Sequence, residues 1–170
     1  RDVFISDDNF IGNKVHARSI LEQLTPWLES HGMPFSFWTQ ASVNLGQDKD
    51  LIDLMTEANF STVFVGVESP DEEVLKLNRK FQNIKNPLVE SLNNICRNGL
   101  TVVASFIMGL DGEKPGAGAR ICSFIDLTDI PMVMLNTLQV LPNTALSDRL
   151  VREGRTLDIQ VTGHSTGTRL

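Results

Sequence analysis

The phrase VFISDDNFIGN, Val3 to Asn13, passes from apolar residues straight into Asp7, Asp8 and Asn9. A turn needs one such residue. Three in a row point to a helix cap, a metal site or the rim of an active site. The same grammar recurs along the chain. Gln40, Ser42 and Asn44 follow FSFW, Glu68 and Ser69 close TVFVGVES, and Gly109, Leu110 and Asp111 follow LTVVASFIM. Gln139, Pro142, Asn143 and Thr144 form the last group. Ser69 and Thr144 are accounted for as helix caps. Gln40 and Glu68 are not, because they stand where a strand ends and no cap is needed. A carboxylate there is penalised unless it is paired or solvated. Lys80, twelve residues after Glu68, is the natural partner for a carboxylate ligand. On position alone, a cation completing a helix C-terminus stands first.

Other candidates carry less chemistry. His16, His31 and His164 lack a second ligand at useful spacing. Cys96 and Cys122 show no C-x-x-C spacing, which speaks against a zinc site or a disulfide framework. Both read as small buried hydrophobes in a reducing cytoplasm. Asp111 and Glu113 fall in a glycine-rich loop and read as a solvated turn.

The elements that must position these groups alternate between strand and helix. Val3–Ser6 is a first strand. Asn13 caps a helix from Lys14 to about Ser30, with Ala17, Ile20, Leu21, Leu24, Trp27 and Leu28 on one face. Phe35–Ala41 is a second strand, followed by a short helix with Leu51, Ile52, Leu54, Met55 and Ala58 inward. Thr62–Glu68 is a third. In SPDEE, Ser69 is the cap, Pro70 takes the first helical position and Glu72 completes a capping box, with the helix running to about Arg79. Asn86 and Pro87 open the next helix and Gly99 ends it. Leu100–Gly109 is a fourth strand, Arg120 to Leu127 a helix, and Met132 to Val140 a fifth strand. A last helix, capped by Thr144, stops at Gly154. Near-continuous apolar strands, each followed by a helix, imply a parallel sheet covered on both faces. Its ligand site lies at the carboxyl ends of the strands, whether the sheet is open or closed.

Composition narrows the function. The 170 residues carry a formal net charge of −6, which argues against nucleic acid as the main partner. No apolar run is long enough to span a bilayer. No signal peptide opens the chain, and a strand begins at once, so the chain looks cut from something longer. Residues 1–155 read as the folded part. Residues 156–170 read as a polar tail, the start of a missing C-terminal region, poorly ordered by itself.

Four phrases, VFISDDNFIGN, GVESPDEEVLKLNRK, SFIMGLDG and LQVLPNTALSDRLVREGR, together resemble radical S-adenosylmethionine enzymes. The nearest resemblance is to the class with a cobalamin-binding domain, which includes methylases acting on lipids such as hopanoids. The resemblance implies a partial TIM-like parallel barrel of six βα units, of which this chain holds five. The family's first unit carries C-x-x-x-C-x-x-C for a 4Fe–4S cluster, and the chain has no such motif. The implied fragment therefore begins after that unit, with the cluster ligands and the cobalamin site outside it, and is inactive alone. The implied reaction is 5′-deoxyadenosyl-radical chemistry, as cobalamin-dependent methyl transfer to a small molecule or lipid. Asp7, Asp8 and Asn9 match a motif near the methionine amino group of S-adenosylmethionine. Gln40 or Ser42 faces the cofactor from the next strand. Glu68 matches a ribose contact, and Lys80 a partner of the methionine carboxylate. Ile107 and Gly109 match adenine contacts, with Leu141 and Pro142 at the adenine edge. Ser105 stands where glycine is common, and Glu113 is displaced by one position, which leaves it without a role.

Two other classes compete. A receiver-like signalling domain would use the double acid for magnesium, but it needs a lysine after the fifth strand, and LQVLPNTALS has none. A non-catalytic α/β interaction domain would use every strand-end polar group as a cap or turn.

Overall fold

Five strands lie side by side in chain order, every neighbouring pair parallel: β1 (Asp2–Ile5), β2 (Ser36–Gln40), β3 (Phe60–Glu68), β4 (Thr101–Met108) and β5 (Met132–Thr137). The computed structural model describes residues 1–85 and 87–156, and the backbone of 168–169. The crossovers hold α1 (Lys14–Ser30), α2 (Lys49–Glu57), α3 (Glu72–Leu77), α4 (Phe81–Lys85), α5 (Leu88–Arg97) and α6 (Ala117–Ile125). After β5 come β6 (Gln139–Val140) and α7 (Ala145–Arg152). β6 pairs antiparallel with β7 (Thr168–Arg169).

Local chemistry sets most boundaries. Asn13 Oδ1 accepts from the backbone N–H of Val15 and His16 at 3.1 and 3.2 Å, a cap worth about 1 kcal/mol. Asp48 caps α2 through Leu51 N–H and also pairs with Lys14 and Arg18 of α1. Burial works to raise that carboxyl, but these three partners outweigh it and hold it below the usual range. Gly99, at φ +101°, ends α5 as expected. Gly46 lies in a 3₁₀ turn, Val43–Gln47, pressed onto α5. A Cβ there would meet the backbone oxygen of Ser91 at 2.2 Å.

Several expectations need correction. The cap in SPDEE is Asp71, whose Oδ1 accepts from Glu73 and Val74 N–H at 3.0 and 3.4 Å. Ser69 Oγ instead accepts from Asp71 N–H, so Pro70 precedes the helix. Two cap-competent residues stand two apart, and the nearer one reaches the free N–H groups. The helix stops at Leu77, and the short α4 follows with no sequence signal. Asn86 lies outside the described residues, and so do Leu157–Gly167 and Leu170 of the expected tail. The fifth strand breaks at Leu138, whose N–H donates to Met108 O, and its continuation leaves the sheet as β6. On α1, Ala17, Leu21 and Leu28 are buried, while Ile20 and Trp27 are exposed. Cys96 is half-buried, with burial pushing its thiol up, but Cys122 is exposed.

The largest correction concerns the faces of the sheet. Phe37 and Thr39, then Val63, Val65 and Val67, then Val102, Ala104 and Phe106 are buried on one face, the apolar ones in the core with α1, α2, α5 and α6. Alternation sends Phe4, Trp38, Gln40, Phe64, Gly66, Val103, Ser105, Met132 and Met134 to the other face. That second face holds none of the buried hydrophobic core. The fold is thus a partial, unclosed TIM-like barrel, with helices outside and the second face as its lumen. Among the described residues the sheet is not covered on both faces, which departs from the expected doubly covered sheet. Apolar strand runs belong equally to a sheet under two helical layers and to a barrel wall, which is why the sequence pattern pointed to both.

Candidate functional site

At the carboxyl end of β1 the three polar residues divide their work. Asp7 Oδ1 accepts from Asn9 N–H at 2.8 Å, a local turn. Asn9 Oδ1 accepts from Ser42 N–H at 3.0 Å, and Phe10 N–H donates to Gln40 O at 3.0 Å, so this loop is clipped to the end of β2. Ser42 Oγ donates to Asn44 Oδ1 at 2.6 Å. Asp8 is exposed on the rim, and among the described residues its carboxylate has no hydrogen-bond partner.

Glu68 ends β3 in an unusual conformation. Its φ is +69°, and Ser69 N–H donates to Val67 O at 2.9 Å, which makes Glu68 the centre of a γ-turn. The positive-φ form of that turn is rare and strained, at about 1–3 kcal/mol for a side-chain-bearing residue. The β3–β4 register slips at the same place, between Gly66 and Glu68. The turn directs the carboxylate to Lys80 Nζ at 2.9 Å. The Glu68 side chain is 15% exposed and that of Lys80 is 43% exposed. Pairing therefore relieves a largely desolvated carboxylate, while the ammonium keeps an open side. Lys80 is not a C-terminal helix cation, since α3 has already ended at Leu77.

These groups line a cavity of about 240 Å³, walled by Asp8, Asn9, Gln40, Ser42, Glu68 and Lys80 together with Phe64, Gly66 and Ser105. Six of the ten anticipated residues thus converge. Asp7 is spent on its turn. Ile107 lies on the lumen face but outside the cavity wall, and Leu141 is exposed. Gly109 N–H donates to the Glu113 carboxylate at 2.5 Å, which gives Glu113 a structural role in its loop. Ser105 also walls the cavity, and Asn83 stands behind it without lining it. Ser105 Oγ accepts from Asn136 Nδ2 at 3.4 Å across the lumen face. Asn83 sits behind Glu68 and no local pattern could have flagged it, because it lies on a five-residue helix.

The neighbouring loop is anchored by Asp111, which pairs with Arg149 and with Arg155 at 2.9 Å. The Arg149 guanidinium, joined by Arg155, holds the Asp111 carboxyl below the usual range despite the opposing effect of burial. Asp111 is therefore a tether between this loop and α7 and its flank, and not a solvated turn residue.

The open valences of the cavity suit a zwitterion. Asp8, the second oxygen of Glu68 and the Gln40 amide carbonyl accept, and Lys80 retains donors. S-adenosylmethionine needs acceptors for an ammonium and a ribose diol and a donor for a carboxylate, so the residues fit it. An iron–sulfur cluster is a different case. Among the described residues no group of three or more His, Cys, Asp or Glu is placed to hold a metal ion. The described residues do not fit a cluster. Nor, among them, is any helix long and apolar enough to cross a membrane.

Comparison with known proteins places the chain in a family. The chain is 52% identical over 158 residues to an uncharacterized methyltransferase of Synechocystis sp., covering 93% of this chain and 30% of that protein. It is 40% identical over 153 residues to the hopanoid C-2 methylase of Rhodopseudomonas palustris, covering 90% and 29%. The chain thus spans about three-tenths of the length of the curated relatives it matches. The radical S-adenosylmethionine methyltransferase TsrM of Kitasatospora setae, solved with a tryptophan substrate and a cofactor analogue, superposes with a TM-score of 0.69 at 20% identity, covering 88% of this chain and 29% of that one. At that identity the likeness establishes the fold. Residues 14–125 match the Radical SAM superfamily model, and with this rim geometry on its five parallel strands the chain belongs to the Radical SAM superfamily.

Proposed function

We propose that this chain is the S-adenosylmethionine-binding part of a radical methyltransferase. The observation that carries the reading is the rim cavity, where Asp8, Gln40, Glu68 and Lys80 present groups of both signs at strand ends. S-adenosylmethionine bears an ammonium, a sulfonium and a carboxylate, a net charge of plus one. Asp8, Glu68 and Lys80 sum to minus one, so site and ligand are complementary in sign. In this reading Asp8, with Asn9 beside it, receives the ammonium. Lys80 receives the carboxylate, Glu68 a ribose hydroxyl, and Gln40 and Ser42 face the cofactor from β2. Ile107, Gly109 and Leu141 remain candidates for the adenine end. When bound, S-adenosylmethionine supplies a sulfonium that can be cleaved by one-electron reduction. The chain's own residues bind and orient it at the strand ends. The 4Fe–4S ligands and the cobalamin domain are assigned to parts of the natural protein outside the described residues.

The lumen below the rim supports an apolar substrate. Phe4 and Trp38 pack there with ring centroids 4.1 Å apart and planes tilted by 32°. Met132 and Met134 line the same face from β5. An aromatic pair at one edge of this face and adaptable thioethers at the other suit a hydrocarbon surface better than a charged metabolite. A relative named as a hopanoid methylase agrees with a lipid of this kind.

Equilibrium dialysis of labelled S-adenosylmethionine against the natural-length protein tests the reading. Glu68→Ala or Lys80→Ala should each weaken binding about 10- to 100-fold, the worth of a charge-assisted contact, without unfolding the barrel. Unchanged affinity in both would favour the interaction-domain reading.

A further inference from the structure

Asn83 is 2% exposed on α4, directly behind the Glu68 turn. Its Nδ2 donates to the carbonyl oxygens of Gly66 and Val67, each at 3.0 Å. The Val67 oxygen is the one that accepts Ser69 N–H to close the γ-turn. The register slip of β3 falls across the same residues. Asn83 also donates its backbone N–H to Lys80 O at 3.0 Å. One residue therefore touches the segments that carry both members of the Glu68–Lys80 pair. Its own Oδ1 is buried and has no hydrogen-bond partner. An unsatisfied buried amide oxygen is unfavourable, and an apolar side chain of similar volume would avoid that penalty. The two donated bonds are what an apolar residue could not supply.

We propose that Asn83 is a positioning residue. It holds the carbonyls of Gly66 and Val67 so that the strained turn presents the Glu68 carboxylate beside Lys80. The proposal rests on the reading that Glu68 and Lys80 contact S-adenosylmethionine.

A double-mutant cycle tests it in the natural-length protein, with S-adenosylmethionine affinity by equilibrium dialysis and melting temperature as readouts. Glycine at position 68 accepts the positive φ without strain, so it should make Asn83 dispensable. Asn83→Ala should weaken binding about tenfold and lower the melting temperature. In the Glu68→Gly background it should change binding less than about twofold and shift the melting temperature much less. Asn83→Leu, which is close in shape but lacks both donors, should weaken binding as Asn83→Ala does. Equal losses in the two backgrounds would mark Asn83 as general scaffold and overturn the proposal, as would unchanged affinity with Glu68 in place. Should Asn83→Ala fail to fold with Glu68 present, folding in the Glu68→Gly background supports the proposal and failure in both overturns it. If Glu68→Gly by itself leaves affinity untouched, the cofactor reading fails, while the coupling in melting temperature still decides the role of Asn83.

Discussion

Glu68 shows how a single residue can be held against its own preference. A glutamate at φ +69° is strained, yet the surrounding hydrogen bonds and Lys80 hold it there. Strain of this kind marks a site where geometry outweighs stability. A comparison of two substitutions isolates it. Glu68→Gly and Glu68→Ala both remove the ion pair, but only alanine keeps the strain. The glycine variant should therefore be more stable by about 1 kcal/mol in denaturant unfolding, with cofactor binding impaired in both. Equal stability would mean that the turn stores no strain. The position of Glu68 at a strand end was readable from sequence, because TVFVGVE ends an apolar run on a carboxylate. Its left-handed backbone was not, since nothing but tertiary contact fixes a glutamate in that region. Asn83 was hidden for the same reason: its two acceptors are 16 and 17 residues away.

At the scale of elements, two joints position the rim. The 3₁₀ turn after β2 abuts α5 with no room at Gly46, whose missing Cβ would fall 2.2 Å from Ser91 O. Gln47 Nε2 donates to Ser91 Oγ and Asn94 Nδ2 to Gly46 O, locking the contact. Gly46→Ala should destabilise the fold by about 1–3 kcal/mol, as overpacking against backbone does, seen as a lower melting temperature. The second joint is Asp111. Its folded carboxyl lies below the ordinary value, so its pairing with Arg149 and Arg155 stabilises fully above the unfolded value of about 3.9. That contribution fades as pH falls through the lower folded value. The stability gap between the wild type and Asp111→Asn should thus be constant from pH 7 to about pH 5 and close below about pH 4. A gap independent of pH down to 3 would remove the ion pair from the account. Caps such as Asn13 and Thr144 were readable because they act within three residues. Asp71 displaced Ser69 because both can cap, and their competition is decided by which oxygen meets the free N–H groups. The Asp111 tether spans 38 residues to Arg149, and no local pattern reports it.

On the scale of the whole molecule, the sheet has one buried face and one lumen face. On its β1–β2 side that face is graded, with polar groups at the strand ends and Phe4 and Trp38 below them. Apolar strand runs alone left open whether this face lay under helices or around a lumen, and only the exposure pattern resolved it. The alternation of strands and helices was legible in the sequence, α4 was not, and six of the anticipated residues line one cavity. The grading was not legible, because residues far apart in the chain share each level. The proposed role of this rim is to hold S-adenosylmethionine through Glu68 and Lys80. Its most direct test is equilibrium dialysis of labelled S-adenosylmethionine against the natural-length protein, with Glu68→Ala and Lys80→Ala alongside and melting temperatures recorded for each. Binding by the wild type, lost at least about tenfold in both variants while they remain folded, is the predicted result. Folded variants that bind S-adenosylmethionine as tightly as the wild type would contradict it.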